Sequence, residues 1–197
     1  MKNHYIPIIK TANNSTTGFT KMNRISILYH KTRIGELILG SFEGKLCLLD
    51  FLYRRMRQVI DNRIRSGLEA EFIVADDVIL KLATEQLDEY LVGRRTGFDV
   101  PLLLIGSDFQ KAVWNELMQV SYGKTATYLD LARAVGNEKA VRAVAGANGA
   151  NAIAIIIPCH RILGSNGELT GYGGGLAVKK KLLDLEQGYL NLFEDSY

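Results

Sequence analysis

The sequence predicts an α/β N-terminal domain, a short antiparallel sheet with a helix, followed by a mostly α C-terminal domain that carries a helix-turn-helix. Three observations predict it. Short β-type runs punctuated by glycines fill residues 25–49. Residues 78–91 repeat apolar side chains at helical spacing. Across residues 107–187, helical patterns follow one another with glycine breaks between them. The organisation expected is a poorly ordered extension over residues 1–22, an α/β domain over 23–100 and a helix-turn-helix domain over 101–197.

Ile25–Tyr29, Glu36–Leu39 and Lys45–Leu49 read as strands, and their close spacing favours an antiparallel meander. Cys47 sits among leucines in the third and reads as core. Arg54, Arg55, Arg57, Arg63 and Arg65 follow with Asp61 alone opposing them. They are either a solvated helix face or a phosphate-contacting patch. Asp76-Asp77 then caps a helix over Val78–Leu91, which Gly93 ends. Residues 93–101 read as a linker.

Composition narrows the class. The 197 residues are 47% hydrophobic and 23% charged, values of an ordinary globular protein. A net charge of +3 permits nucleic-acid binding without demanding it. The two cysteines, Cys47 and Cys159, lie far apart and form no disulfide framework, which favours a reducing, cytoplasmic compartment. Two cysteines and three histidines offer no zinc-ligand spacing, so no metal is expected. No apolar run approaches membrane-spanning length, so no membrane partner is expected.

In the second half, Ser107-Asp-Phe-Gln110 has capping-box spacing. Phe109, Ala112, Val113, Leu117 and Val120 form one helical stripe, with Trp114 and Glu116 off it. Thr127 is placed to cap a helix over Tyr128–Val135. Gly136 breaks it, and a second helix runs over Lys139–Ala145. Two short helices joined by a glycine turn are a helix-turn-helix pattern. Lys124, Arg133, Lys139 and Arg142 outnumber Asp130 and Glu138 there, which suits a surface facing phosphate. Residues 146–151, rich in Gly and Asn, read as a reversal. Gly171–Gly175 reads as a loop suited to enclosing a flat group, and Ala177–Gln187 as a final helix.

The chemistry concentrates at Ile155-Ile-Ile-Pro158-Cys159-His160-Arg161. The β-branched run reads as a buried strand over 154–157 that stops at Pro158. If a helical turn begins at Pro158, Cys159 meets free N–H groups that favour its thiolate.

These second-half stretches resemble the methylated-DNA–protein-cysteine methyltransferases, the O6-alkylguanine-DNA alkyltransferases. The residues that carry the resemblance are Phe109-Gln110 with Val113-Trp114, Thr127-Tyr128 with Leu131-Ala132, and Ala140-Val-Arg142-Ala-Val. Asn151, Ile157-Pro-Cys-His-Arg161, Gly171-Tyr172 with Gly174-Gly175, and Lys179 with Leu182-Leu183 and Glu186 complete the set. The resemblance is dense over residues 107–187 and looser over 25–100. It implies a ribonuclease H-like N-terminal domain and a winged-helix-like C-terminal one. It also implies a monomer that acts on double-stranded DNA without a cofactor. Such a protein moves the alkyl group of O6-alkylguanine, and of O4-alkylthymine, to its own cysteine by base flipping, once and irreversibly.

Carried over by position, the resemblance makes Cys159 the acceptor. His160 deprotonates it through a water, Glu186 orients His160, and Tyr128 donates a proton to the departing guanine. Arg142 fills the gap left by the flipped nucleotide, with Asn151, Lys124, Thr127 and Ala140 also on the DNA-binding side. Tyr172, Lys179, Ile162 and Gly173 line the substrate pocket. The chemistry agrees: displacement at a saturated carbon calls for a soft thiolate, and a thiol must be activated to supply it. One departure stands out. Many members have proline after the hinge asparagine, whereas Ala152 and Ala154 flank Ile153 here, which is expected to loosen the backbone. Three alternatives stay open on the residues alone: a lesion-sensing relative that transfers nothing, a helix-turn-helix regulator, and a hydrolase using Cys159, His160 and Glu186.

Overall fold

The computed structural model describes residues 23–189, so the expectation for residues 1–22 lies outside the described residues. Strands β1 (Asn23–Thr32), β2 (Gly35–Phe42) and β3 (Lys45–Phe51) form the expected antiparallel meander. A fourth strand, β4 (Ala70–Val74), pairs parallel to β1, giving the order β3-β2-β1-β4. Helix α1 (Arg57–Leu68) is the crossover that makes this parallel pairing possible. Successive strand residues point to opposite faces. On one face Ile25, Ile27, Ile38 and Leu48 pack with Ile60 and Ile64 of α1 and with Cys47. On the other, Leu37, Leu39, Leu46 and Leu49 meet Leu80, Leu87 and Tyr90 of α2 (Val78–Leu91). Burial on both faces explains why β2 is apolar without alternation. Asp77 caps α2, accepting from the N–H of Ile79 at 2.8 Å.

The core on the α2 side continues into the helical half through Val113, Trp114, Leu117, Leu131 and Val144. Helix α3 (Asp108–Gln119) starts on the Ser107 capping box. Its stripe differs from the sequence reading: Phe109 and Ala112 are exposed and Trp114 is buried. Trp114 turns inward because its Nε1–H donates to the carbonyl of Ala147, 2.9 Å away on the next helix but one. Thr127 caps α4 (Tyr128–Ala134), reciprocated by Asp130. Gly136 turns the chain at φ +78°, a left-handed conformation that a side chain would strain. A 3₁₀ turn, Glu138–Ala140, leads into α5 (Val141–Gly149). The second helix therefore runs through the glycine-rich stretch read as a reversal, which begins only at Ala150. A short parallel pair, β5 (Ala126–Thr127) with β6 (Ile162–Leu163), flanks α4, and α6 (Leu176–Glu186) is the last helix among the described residues.

The strand expected over residues 154–157 is a tight reversal instead. Leu49 of β3 binds the incoming chain on both sides: its N–H donates to Ala152 O at 2.9 Å and its carbonyl accepts from Ala154 N–H at 2.6 Å. The chain then turns at Ile155, whose φ of +72° is a true outlier for a β-branched residue. Such a conformation costs about 1–3 kcal/mol and persists where the surroundings over-determine it. Ile155 is buried, and Ile157 N–H returns to Ile153 O at 3.0 Å. The missing proline is offset in the same way, because Ala154 supplies the N–H that a proline lacks and pins the segment to the sheet.

Candidate active site

Cys159 follows this reversal and heads a single 3₁₀ turn, Cys159–Arg161. Its N–H donates to Ile157 O at 2.8 Å, so that N–H does not face the sulfur. Burial raises the thiol pKa above its ordinary value. The Asn151 hydrogen bond and the Arg54 charge oppose that rise without cancelling it. The thiolate favoured by the sequence reading is thus replaced by a resting thiol. Asn151 Nδ2 lies 3.2 Å from Sγ and also donates to Ile157 O at 2.9 Å, while its Oδ1 accepts from Ile153 N–H at 2.9 Å. Asn151, expected on the DNA-binding side, is buried and faces the cysteine instead.

His160 is fully buried, with Nε2 2.8 Å from Glu186 Oε1. Glu186 also accepts from Arg161 Nε at 2.9 Å, from the Tyr90 hydroxyl at 2.5 Å and from Gly123 N–H at 3.1 Å. Burial would raise the Glu186 pKa, yet the hydrogen bonds from His160 and Arg161 bring it down to about 2. A carboxylate only accepts, so the imidazole carries its proton on Nε2 and Nδ1 holds a free lone pair. Nδ1 is buried without a hydrogen-bond partner among the described residues. Burial lowers the His160 pKa against the pull of Glu186, which keeps the ring neutral and able to accept a proton.

A cavity of about 240 Å³ opens over the sulfur. Tyr128, Ala145, Asn148, Tyr172 and Gly173 line it from the helical half. Asp50, Arg54, Arg55 and Met56 complete it from the N-terminal half. The Thr170 hydroxyl donates to Tyr128 Oη at 3.4 Å. The half-buried Tyr172 ring lies edge-on to Phe51 and His160, at 5.6 and 6.2 Å between centroids. Ile162 and Lys179, expected in the pocket, are fully buried behind it. Lys179 Nζ donates to the Ile162 carbonyl and, at 2.7 Å, to Thr170 O, so it braces the segment that bears Thr170. Burial brings its pKa down to about 8.

Arg142, Lys124, Lys139 and Arg133 are exposed, and Thr127 and Ala140 are half-buried. Arg133 pairs with Glu138 at 2.6 Å, which removes it from the free basic surface. The earlier arginines split. Arg57 is fully buried on Asp50 and Asp61, and Arg54 and Arg63 reach the helical half, so neither sequence reading describes these three. Arg55 stays exposed at the cavity mouth. Cys47 is buried at the back of the sheet with its pKa pushed up to about 12, consistent with a core role.

Sequence reasoning missed Tyr90, Arg161 and Arg54. Arg161 carried a signal, standing next to His160. Tyr90 and Arg54 lie 96 and 97 residues from the partners they reach, Glu186 and Asn151, and no local pattern points to either.

A helix-turn-helix beside a cavity, with a neutral histidine held by a carboxylate next to a buried cysteine, defines a DNA-binding fold built around one thiol. Comparison with known proteins gives the family. Residues 26–104 match the 6-O-methylguanine DNA methyltransferase ribonuclease-like domain and residues 108–188 the DNA-binding domain of the same family. A methylated-DNA–protein-cysteine methyltransferase of Methanosarcina acetivorans is 50% identical over 154 residues, 78% of this chain and 92% of the relative. The inducible enzyme of Bacillus subtilis is 45% identical over 62% of this chain and 69% of its own. Among solved structures, Mycobacterium tuberculosis OGT in complex with DNA is similar with a TM-score of 0.70 and 38% identity, over 87% of this chain and 99% of that one. The chain belongs to the 6-O-methylguanine DNA methyltransferase family, and its sheet domain and helical domain are those of that fold.

Proposed function

We propose that this protein repairs double-stranded DNA by moving the alkyl group of O6-alkylguanine to Cys159. The observation that carries the reading is the neutral His160 held by the Glu186 carboxylate beside a thiol at the floor of a cavity, on the flank of the helix-turn-helix. The target base enters the cavity extruded from the duplex stack, because its O6 substituent is hidden there. Arg142 on α5 occupies the gap, and Lys124, Thr127 and Ala140 complete the contact with the backbone. The Cys159 proton passes to His160 Nδ1 through a bridging water, and Glu186 stabilises the imidazolium that forms. The sulfur electron pair forms the S–C bond as the C–O6 bond breaks. The departing guanine takes a proton from the Tyr128 hydroxyl, which the imidazolium proton replaces by way of solvent. The net change exchanges the thiol hydrogen for the alkyl group.

None of the described residues lining the cavity is placed to remove an alkyl group from a thioether, so the proposed reaction is stoichiometric. O4-alkylthymine presents the same ether chemistry and belongs to the same proposal. Residues 23–100 then serve as the supporting domain and residues 101–197 as the DNA-binding and transfer domain. The reduced thiols suit a cytoplasmic setting. No helix among the described residues is long and apolar enough to cross a membrane.

The test is intact-protein mass after exposure to duplex DNA holding O6-methylguanine. One methyl group per chain, mapped to Cys159 and not Cys47, is expected. Cys159→Ser should lose transfer and keep DNA affinity, since phosphate contacts are untouched and that affinity falls with salt. Multiple turnover would favour a hydrolase instead.

A further inference from the structure

The mechanism above uses only residues of the helical half, yet the N-terminal half reaches into the site. Arg54 stands just after β3 with its side chain 9% exposed. Nη1 donates to Asp50 Oδ2 at 2.7 Å and to the carbonyl of Asn151 at 2.8 Å, and Nη2 donates to the carbonyl of Gly149. Arg63 donates to the carbonyl between them, Ala150 O, at 2.7 Å. Two arginines of one half thus satisfy three successive carbonyls at the end of the helix that bears Arg142. A helix C-terminus leaves such carbonyls unpaired and favours positive charge there. Arg54 also touches the substrate loop: a Cβ built on Gly173 would lie 3.3 Å from its Cδ, Nε and Cζ.

We propose that Arg54 is a positioning residue for Cys159. It grips the backbone of Asn151, whose side-chain amide lies 3.2 Å from the sulfur, and so carries the rigidity of the sheet to the reacting atom. Asp50 holds the guanidinium in place, and Arg57 shares Asp50 at 3.1 Å. The fork geometry matters, because one ammonium cannot reach a carboxylate and two carbonyls together. The charge of Arg54 also favours the thiolate as it forms. The other titratable groups around the sulfur are Asp50 from the sheet, Arg55 at the cavity mouth, Tyr128 from α4, Tyr172 from the glycine loop, Lys179 from α6 and the adjacent His160. This inference rests on Cys159 being the alkyl acceptor.

The experiment follows the alkylation of Cys159 by free O6-benzylguanine from mildly acidic to alkaline pH, by mass. A parallel series with iodoacetamide reads the thiol without any base recognition. Arg54→Met should lower the neutral-pH rate about tenfold and move the midpoint of the pH profile upward by about one unit in both series. Arg54→Lys should restore the midpoint while the rate stays well below wild type. Arg63→Met, which caps the same helix end without touching Asn151, should lose thermal stability and keep the wild-type midpoint. A folded Arg54→Met with the wild-type pH profile would overturn the proposal and leave Arg54 a clamp between domains. Should Arg54→Met not fold, a wild-type rate in Arg54→Lys would overturn it as well. If the wild-type protein takes no alkyl group from O6-benzylguanine or from DNA, the functional reading fails. The iodoacetamide series still judges Arg54.

Discussion

The side-chain amide of Asn151 donates to Cys159 Sγ at 3.2 Å, while its carbonyl oxygen is fixed by Ile153 N–H at 2.9 Å. The same residue therefore orients the sulfur and is placed to stabilise a negative charge there in the proposed transfer. A hydrogen bond to a charged group contributes about 1.5–3 kcal/mol. Asn151→Ala should slow alkylation of Cys159 by roughly 10- to 100-fold, on that scale. Asn151→Asp keeps an acceptor for Ile153 but sets a negative charge against the sulfur. It should be slower still, with its pH–rate midpoint displaced upward, as a titration of the alkylation rate would record.

Glu186→Gln should act on stability as well as on rate. Arg161 is buried, and its Nε and Nη2 both rest on Glu186 at 2.9 Å. Removing the carboxylate charge leaves the guanidinium uncompensated, at a cost of about 3–5 kcal/mol. Urea unfolding should show that loss, and the double variant Glu186→Gln, Arg161→Met should recover part of it. Equal stability of Glu186→Gln and wild type would mean that Arg161 relaxes to water.

Two groups of the relay set the acid limit of the fold. His160 has a folded pKa below its unfolded value, so the unfolded chain binds the extra proton as pH falls below about 6.5. Glu186 is depressed to about 2, and its contribution is complete above its unfolded pKa and lost as pH falls from there toward 2. Stability should therefore be level near neutrality and decline in two stages on acidification. His160→Gln should abolish the upper stage alone, read from urea midpoints against pH.

Arg142 is exposed on α5 and away from the sulfur side of the cavity. Arg142→Ala should slow repair of duplex DNA strongly while leaving the reaction with free O6-benzylguanine near wild type. Equal losses on both substrates would assign Arg142 to the fold.

Gly174 is required by close approach. A Cβ there would meet Phe51 ring carbons at 2.7–2.8 Å, and the ring is packed in the core. Gly174→Ala should cost about 1–3 kcal/mol through overpacking. It should also displace the glycine loop from the cavity, measurable as a lowered melting temperature with slowed alkylation.

Much of this was legible in order along the chain. The three glycine-punctuated strands, the Asp77 and Thr127 caps and the capping box at Ser107 depend on neighbours a few residues away, and each formed as read. Pro158-Cys159-His160-Arg161 marked the candidate site in the same way. The readings that changed depended on distant partners. Trp114 left the exposed face for Ala147 O, residues 154–157 became a reversal because Leu49 binds both sides of it, and β4 arose only because α1 returns the chain beside β1.

The sequence by itself determined the three-strand meander, the capped helices, the helix-turn-helix and the segment that holds the cysteine, because periodicity, caps and breakers act over a few residues. Only the tertiary structure decided that Cys159 rests as a thiol, that Glu186 also gathers Tyr90 and Arg161, and that Arg54 and Arg63 belong to the end of α5 rather than to solvent. Those outcomes turn on burial and on contacts between residues far apart in the chain. Burial sets the cost of each charge, and the fold alone determines which opposite charge or carbonyl stands within reach to offset it.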